Sequence, residues 1–401
     1  MTRLSERIWF RAMACILAMF SGTGIMVGLF GPLLPSMLKH EWISKSQAGY
    51  ISAAASIGLF IGAFASTAIA RRRSLGFSAR LFLLIGLASL GLSAIDYGPI
   101  WLGALRFLSG VSTAASSIAI TSLITQGVRG SARGALIGLV GFGSGFGLII
   151  ISILLPMPFV DLVSSPANGW ILATILTAVC IMIAWPGLHS RAGAPEFPKL
   201  KHAHSHHRKQ LILLSVCYGL ITFASAPFYI YFAAYISDLF KVPAESSSAY
   251  YAVIGIGMTI GGITCDYLLV RIFGRYVSFV LAIAIGLAST VAIILSSTLW
   301  VCLAASLLMA ISFSGTSALK TYNVLEIAGP AAEAIWLKIM KIVTSITFTL
   351  GAFISGALMS IGLDYGELFT IVAITFAVSL IISIFMKLPV PVTVHVHDTT
   401  E

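Results

Sequence analysis

Stretches of about twenty apolar residues recur from one end of this chain to the other, separated by short polar breaks. About twenty helical residues cross the roughly 30 Å of hydrocarbon in a bilayer. Inside that hydrocarbon, backbone polar groups have to be satisfied within the protein, which leaves helices or closed barrels as spanning structures. Apolar side chains make up 58% of the 401 residues and charged ones 9%, with mean hydropathy of +1.00. Soluble domains carry roughly 25% charged residues, so no water-facing fold could bury this much apolar surface. The expected fold is all-α and integral to the membrane.

Twelve spans are predicted, at 9–34, 47–70, 80–97, 99–127, 133–157 and 168–188, then 210–238, 246–271, 276–297, 299–322, 333–360 and 364–387. They form two six-helix bundles, 1–188 and 210–387, joined by a polar linker at 189–209 and followed by a tail at 388–401. Arg3, Arg7 and Arg11 precede the first span, but its apolar stretch is too long for a cleaved signal. It reads as a retained helix.

With both termini in the cytoplasm, only Lys39, Lys45 and Lys241 of the 24 basic side chains face outward, and Arg106 lies within a helix. Cytoplasmic loops carry the basic excess, so both ends are placed inside a bacterial inner membrane. The formal charge of +10 collects in short inner loops, at Arg71, Arg72, Arg73 and Arg80, Arg129 and Arg133, and Arg271 and Arg275. Anionic lipid headgroups are the nearest partners there, and no nucleic-acid role is needed.

Sliding the chain by 200 residues pairs Tyr50 with Tyr250, Gly62 with Gly262 and Arg71 with Arg271 without a gap. The pairs occupy equivalent places in the topology, which argues for duplicated halves. Repeated halves around a midplane site are a transporter design, in which the halves rock to expose the site alternately.

Three motifs carry a family resemblance. Leu105–Gly110 resembles the fourth-helix arginine motif of the major facilitator superfamily. Gly262 to Asp266, with Arg271, Gly274 and Arg275, is similar to that superfamily's loop signature. Gly31–Met37 followed by Ser46–Tyr50 resembles the bacterial YbfB-like branch. The resemblance implies a twelve-helix fold of two pseudo-symmetric halves, a small-molecule substrate moved by alternating access, a proton as a candidate coupling ion, and a monomer. Departures are visible. Ser66 stands where the repeat has Asp266, the fifth helix lacks the antiporter proline, and Met26-Val27 occupies the stretch where close members of the branch carry an arginine. A siderophore or drug exporter of the same fold, and a transporter-like receptor or assembly partner, stay open as alternatives. Direction and coupling are open as well.

Arg106 is the sharpest single signal, since a charge inside a span is expensive and marks function by default. It either meets an anionic substrate group or tethers backbone carbonyls. Tyr218, Thr222, Ser225 and Tyr229 recur at i, i+4, i+7 and i+11, which puts them on one helix face. The superfamily's first, fourth, seventh and tenth helices line its cavity, which adds Thr113, Ser117, Ser21, Thr23, Ser314 and Thr316 as candidate lining residues. The competing reading is hydroxyls bonded back to their own helices.

Gly134, Gly138, Gly141 and Gly145 on the fifth span, with Gly257 and Gly261 on the eighth, suit close helix packing across the halves. By resemblance Asp266 would latch onto the start of the eleventh helix near Ala331–Glu333, with Arg271 and Arg275 beside it; a simple ion pair with either arginine is the alternative. The five cysteines lie singly inside spans, with no metal-ligand spacing. His202, His204, His206 and His207 in the linker and His395 and His397 in the tail lack fixed geometry, so no metal site or cofactor is expected. No HExxH, nucleophile elbow or acid-histidine cluster points to an enzyme.

Overall fold

The computed structural model describes residues 3–125, 131–190 and 208–386. Among the described residues it is all helix, without a strand. The first span is interrupted: α1 (Arg3–Met19) continues through a π-helical turn at Phe20–Ile25 and a stretch of turns at 26–29 into α2 (Phe30–Lys39). Then follow α3 (Lys45–Arg72), α4 (Leu75–Leu92), α5 (Pro99–Ile124), α6 (Ser131–Leu154) and α7 (Ala167–Ala184). The second half contains α8 (Arg208–Phe240), α9 (Ala244–Tyr250), α10 (Ala252–Ile263), a π-helical turn at Thr264–Leu269, and α11 (Val270–Leu295). α12 (Leu299–Ser360) carries two spans, Leu299–Ala328 and Ile335–Ser360, and α13 (Tyr365–Phe385) closes the chain.

Ten helical segments among the described residues are long and apolar enough to cross a membrane. The other two expected spans fall on α6, whose described apolar part is Gly141–Leu154, and on α9 with α10, which a break at Tyr251 divides. Local signals explain several helix starts. Ser44 and Gln47 form a capping box at α3, and Asp364 and Glu367 form another at α13, each satisfying amides that the first turn leaves free. Most of the linker at 189–209 and the tail at 388–401 lie outside the described residues, with His202, His204, His206, His207, His395 and His397.

The halves repeat in packing detail. A Cβ on Gly58 or Gly62 of α3 would overlap the carbonyl oxygens of Phe107 and Val111 on α5. In the second half, a Cβ on Gly257 or Gly261 of α10 would come within 2.8 Å and 2.7 Å of the carbonyl oxygens of Leu307 and Ile311 on α12. Gly86 of α4 meets Ser112 while Gly286 of α11 meets Ser312, again 200 positions apart. Ile85–Ser89 and Ile285–Ser289 are in fact identical, IGLAS, a stronger mark of duplication than the three isolated pairs above.

The two membrane faces differ. Arg71–Arg73, Arg80, Arg208, Arg271 and Arg275 lie at one face, where α3 and α10 end and α8 begins. At the opposite face the halves are sealed together. Lys39 pairs with Glu245, Lys45 bonds Asp238 at 3.0 Å and sits over the Tyr365 ring, and Tyr231 Oη donates to the Lys45 carbonyl at 2.9 Å. Beneath these, a Cβ on Gly49 would lie 2.5 Å from the Gly356 backbone, so α3 and α12 touch main chain to main chain. Between described residues, no ion pair or hydrogen bond joins the halves at the arginine-rich face.

Candidate functional site

The polar residues of the bundles gather in two places, one in each half. In the first half, the break between α1 and α2 frees main-chain carbonyls inside a span. A free carbonyl in hydrocarbon costs several kcal/mol. α5 supplies the donors. Arg106 Nη1 donates to the Met26 carbonyl at 2.5 Å and Nη2 to that of Val27 at 3.0 Å. Ser109 Oγ also reaches the Met26 carbonyl, at 3.3 Å, and Thr113 Oγ1 the Gly22 carbonyl, at 2.8 Å. Arg106, Ser109 and Thr113 lie on one face of α5 at i, i+3 and i+7, so a single stripe reads the broken strand of helix one.

Arg106 is 3% exposed, and its guanidinium also sits 5.2 Å from the Phe30 ring and 6.0 Å from the Trp170 ring. Those partners all belong to the first half. Its Nε is buried without a hydrogen bond. Of the two roles open in the sequence, these contacts are those of a tether. Ser109 escaped the sequence reading because a serine one turn from an arginine carries no signal until the carbonyl opposite is known.

The other candidates of the first half bond locally. Ser21 Oγ donates to the Ala18 carbonyl, Ser117 Oγ to the Ala114 carbonyl, and Thr23 Oγ1 contacts Met19 Sδ at 3.8 Å.

In the second half, the α8 stripe is present and buried. Thr222 Oγ1 shares a hydrogen bond with Thr347 Oγ1 of α12 at 2.6 Å, and Ser225 Oγ donates to the Thr222 carbonyl at 2.7 Å. Tyr229 packs against the Phe313 ring at 5.6 Å with the planes tilted by 38°, and its carbonyl accepts from Tyr251 Oη at 2.5 Å. Tyr218 is covered by a residue the sequence reading did not select: Lys320 Nζ of α12 lies 4.2 Å from its ring centre. Lys341, on the second span of α12, is an electrostatic neighbour of Lys320. Thr316 Oγ1 bonds back to the Ser312 carbonyl, and Ser314 Oγ donates to the Met258 carbonyl, joining α12 to α10.

At the arginine-rich face, Arg275 Nη1 bonds Glu326 at 2.9 Å and Arg271 is exposed. The side chain of Asp266, and residues Ala331–Glu333 where its partner was expected, lie outside the described residues. Gly134 does too. Gly145 meets Thr259 and the Gly255 carbonyl across the halves, whereas Gly257 and Gly261 pack within the second half, as described above. A Cβ on Gly138 or Gly141 would meet nothing within 4 Å. Among the described residues no three His, Cys, Asp or Glu side chains group as metal ligands. The groove of about 460 Å³ between α4 and α7, lined by Leu84, Leu87, Ile181 and Met182, is apolar and holds no group to orient a polar solute.

Two helical halves sealed at one face, with interrupted helices and a polar cluster within each half, have the major facilitator fold. A family model described as "Uncharacterised MFS-type transporter YbfB" matches residues 19–388, and the chain belongs to that family. The protein is therefore a multi-pass membrane protein of a transporter family. Among curated proteins none matches. Among solved structures, the nucleoside transporter NupG is 13% identical with a TM-score of 0.73, over 94% of this chain and 98% of that one. A bacterial homologue of the human lysosomal transporter Spinster, in an inward-facing and unoccupied conformation, is 15% identical with a TM-score of 0.66, over 94% of this chain and 95% of that one. At such identities the likeness concerns the fold.

Proposed function

We propose that the protein is a secondary transporter that carries a small organic solute across the bacterial inner membrane by alternating access, with the arginine-rich face in the cytoplasm. One observation carries this reading: the polar contacts between the halves are concentrated at the opposite face. A structural or receptor role would have no use for polar contacts between the halves at one face only. In a rocking transporter that arrangement is one of the two end states, open toward the cytoplasm. The sealing groups are short-range and individually weak, since surface ion pairs contribute about 0–1 kcal/mol each, so they can break in each cycle. The basic excess at the arginine-rich face supports the orientation.

The test uses spin-label pairs on the full-length protein in liposomes, one at Glu41 and Ser246 on the sealed face, the other at Arg73 and Arg271. Alternating access requires two populations in which one distance lengthens as the other shortens. A single distance for both pairs in actively transporting vesicles would sink it. Orientation is checked separately: a cysteine near Ala203 should be shielded from impermeant thiol reagents in intact cells, and one at Ser246 should label.

A further inference from the structure

The geometry points to an anion site in the second half: Lys320 and Lys341, flanked by Tyr218 and the Thr222–Thr347 hydroxyl pair, take the carboxylate or phosphate of a small organic anion. This deepens the transport reading above by naming the class of solute, and it moves that role away from Arg106.

First, among the described residues these charges have no acidic partner. Of the described carboxylates, all but Glu326 belong to loops or helix ends at the sealed face, and Glu326 bonds Arg275. Neither Lys320 nor Lys341 takes part in an ion pair between described residues. Two ammonium groups brought together without an acid repel one another, and each resists leaving water. Chains do not keep such charges inside spans unless something offsets them.

The second step excludes the commonest offset, a lysine that snorkels to the lipid headgroups. Lys320 turns instead onto the ring of Tyr218 on α8, inside the second bundle. An ammonium is attracted to the negative face of an aromatic ring, which holds the side chain without neutralising it. Its charge is positioned and still available.

The third step is access. Tyr218 is 5% exposed, Lys320 is half-buried and Lys341 is exposed, so polarity grades from the bundle interior toward the unsealed face. Thr222, one turn deeper on α8 than Tyr218, offers with Thr347 a neutral hydroxyl pair beside the two charges. Asn323, one turn from Lys320 on the same side of α12, is 1% exposed with neither amide atom hydrogen-bonded. A buried amide left open in this way is a further group that a bound solute could satisfy.

The experiment measures thermal stabilisation of the full-length protein in detergent at fixed ionic strength. The probes are benzoate, succinate, 3-phosphoglycerate and inorganic phosphate, with benzamide, succinamide and glycerol as neutral controls. At least one organic anion should stabilise the parent, and no neutral control should. Lys320→Gln and Lys341→Gln should each weaken that anion by at least about tenfold, the loss of one charge-assisted hydrogen bond. Lys320→Arg should recover most of it. Without ligand, Lys341→Gln should melt no lower than the parent, because it removes one of two repelling charges, and Lys320→Gln should lose no more than its contact with the Tyr218 ring.

Three results overturn the site: no organic anion stabilises the parent, the glutamine variants bind the anion as the parent does, or they unfold early for want of a structural cation. Stabilisation by inorganic phosphate alone marks an adventitious ion only and also overturns it. If anions bind through the lysines but the spin-label distances never alternate, the site stands and transport fails. If the distances alternate without anion binding, the reverse holds.

Discussion

Arg106 and the Lys320–Lys341 pair are both intramembrane cations, one in each half, and their surroundings are opposite. The arginine's two terminal nitrogens are taken up by the carbonyls of Met26 and Val27, freed by the break in the first span. Lys320 lies over an aromatic ring, and the nearby charge it feels is that of Lys341. The difference teaches that intramembrane charge alone does not identify a ligand group. What matters is whether the protein already supplies the counterpart. A planar guanidinium fork suits two adjacent carbonyls, whereas an ammonium is a point charge that a mobile anion can satisfy from several directions.

The largest expected effect comes from breaking the first-half arrangement. Arg106→Ala strands the buried Val27 carbonyl and leaves that of Met26 with the 3.3 Å bond from Ser109 alone, a loss on the order of 1–3 kcal/mol in fold stability. Detergent melting should show an early transition, and Arg106→Lys should restore about half by reaching one carbonyl. Should Arg106→Ala melt with the parent while only solute binding collapses, the two cations would have exchanged roles. Arg106 would then be the ligand.

A smaller effect tests whether the lysines are open by virtue of the conformational state. Gly49→Val puts side-chain atoms where the Gly356 backbone lies, 2.5 Å from the new Cβ. The sealed face is then wedged apart, and the arginine-rich face closes in compensation. Lys341 should react several-fold more slowly with a membrane-impermeant amine reagent, read by mass spectrometry, while the melting behaviour that reports the Arg106 tether stays put. Unchanged Lys341 reactivity would mean that its exposure does not depend on which face is sealed.

How much of this was legible in the sequence follows the same divide. Apolar run length and the 200-residue repeat carry the fold, because bilayer thickness and helix rise translate directly into pattern. Broken helices were not legible. Ser21, Gly22, Gly24 and Gly28 weaken the helix over Phe20–Leu29 without specifying a π turn, and the carbonyls it frees have no side-chain letter. The α8 stripe was readable from its spacing, yet its principal neighbour was not. Lys320 and Lys341 count in the sequence among the basic residues of the cytoplasmic side, a reading that explains orientation and therefore stops the search. The available signal was position. Lys341 lies two turns inside its expected span, deeper than orientation requires.

The smallest effect concerns a third kind of cation, one already paired to an acid across the halves. Partial burial pushes the Glu245 carboxyl up, but the hydrogen bond from Lys39, that from its own backbone amide, and the charges of Lys39 and His40 outweigh it. The net direction is below the usual carboxylate range. A carboxyl depressed in the sealed state favours that state above its ordinary pKa, and the benefit is lost as pH falls through the depressed value. Acidification of the medium at the sealed face should therefore loosen it. The Lys39 side chain is 50% exposed, so the pair contributes no more than about 1 kcal/mol and the populations shift by a factor of about five at most. The measurement is the Glu41–Ser246 spin-label distance between neutral and mildly acidic pH, in the parent and in Glu245→Gln. The parent should gain the longer distance on acidification. The glutamine variant should start with more of it and respond less. An equal response in both would assign the pH dependence to another group, with Asp238, bonded to Lys45 at the same face, the next to substitute.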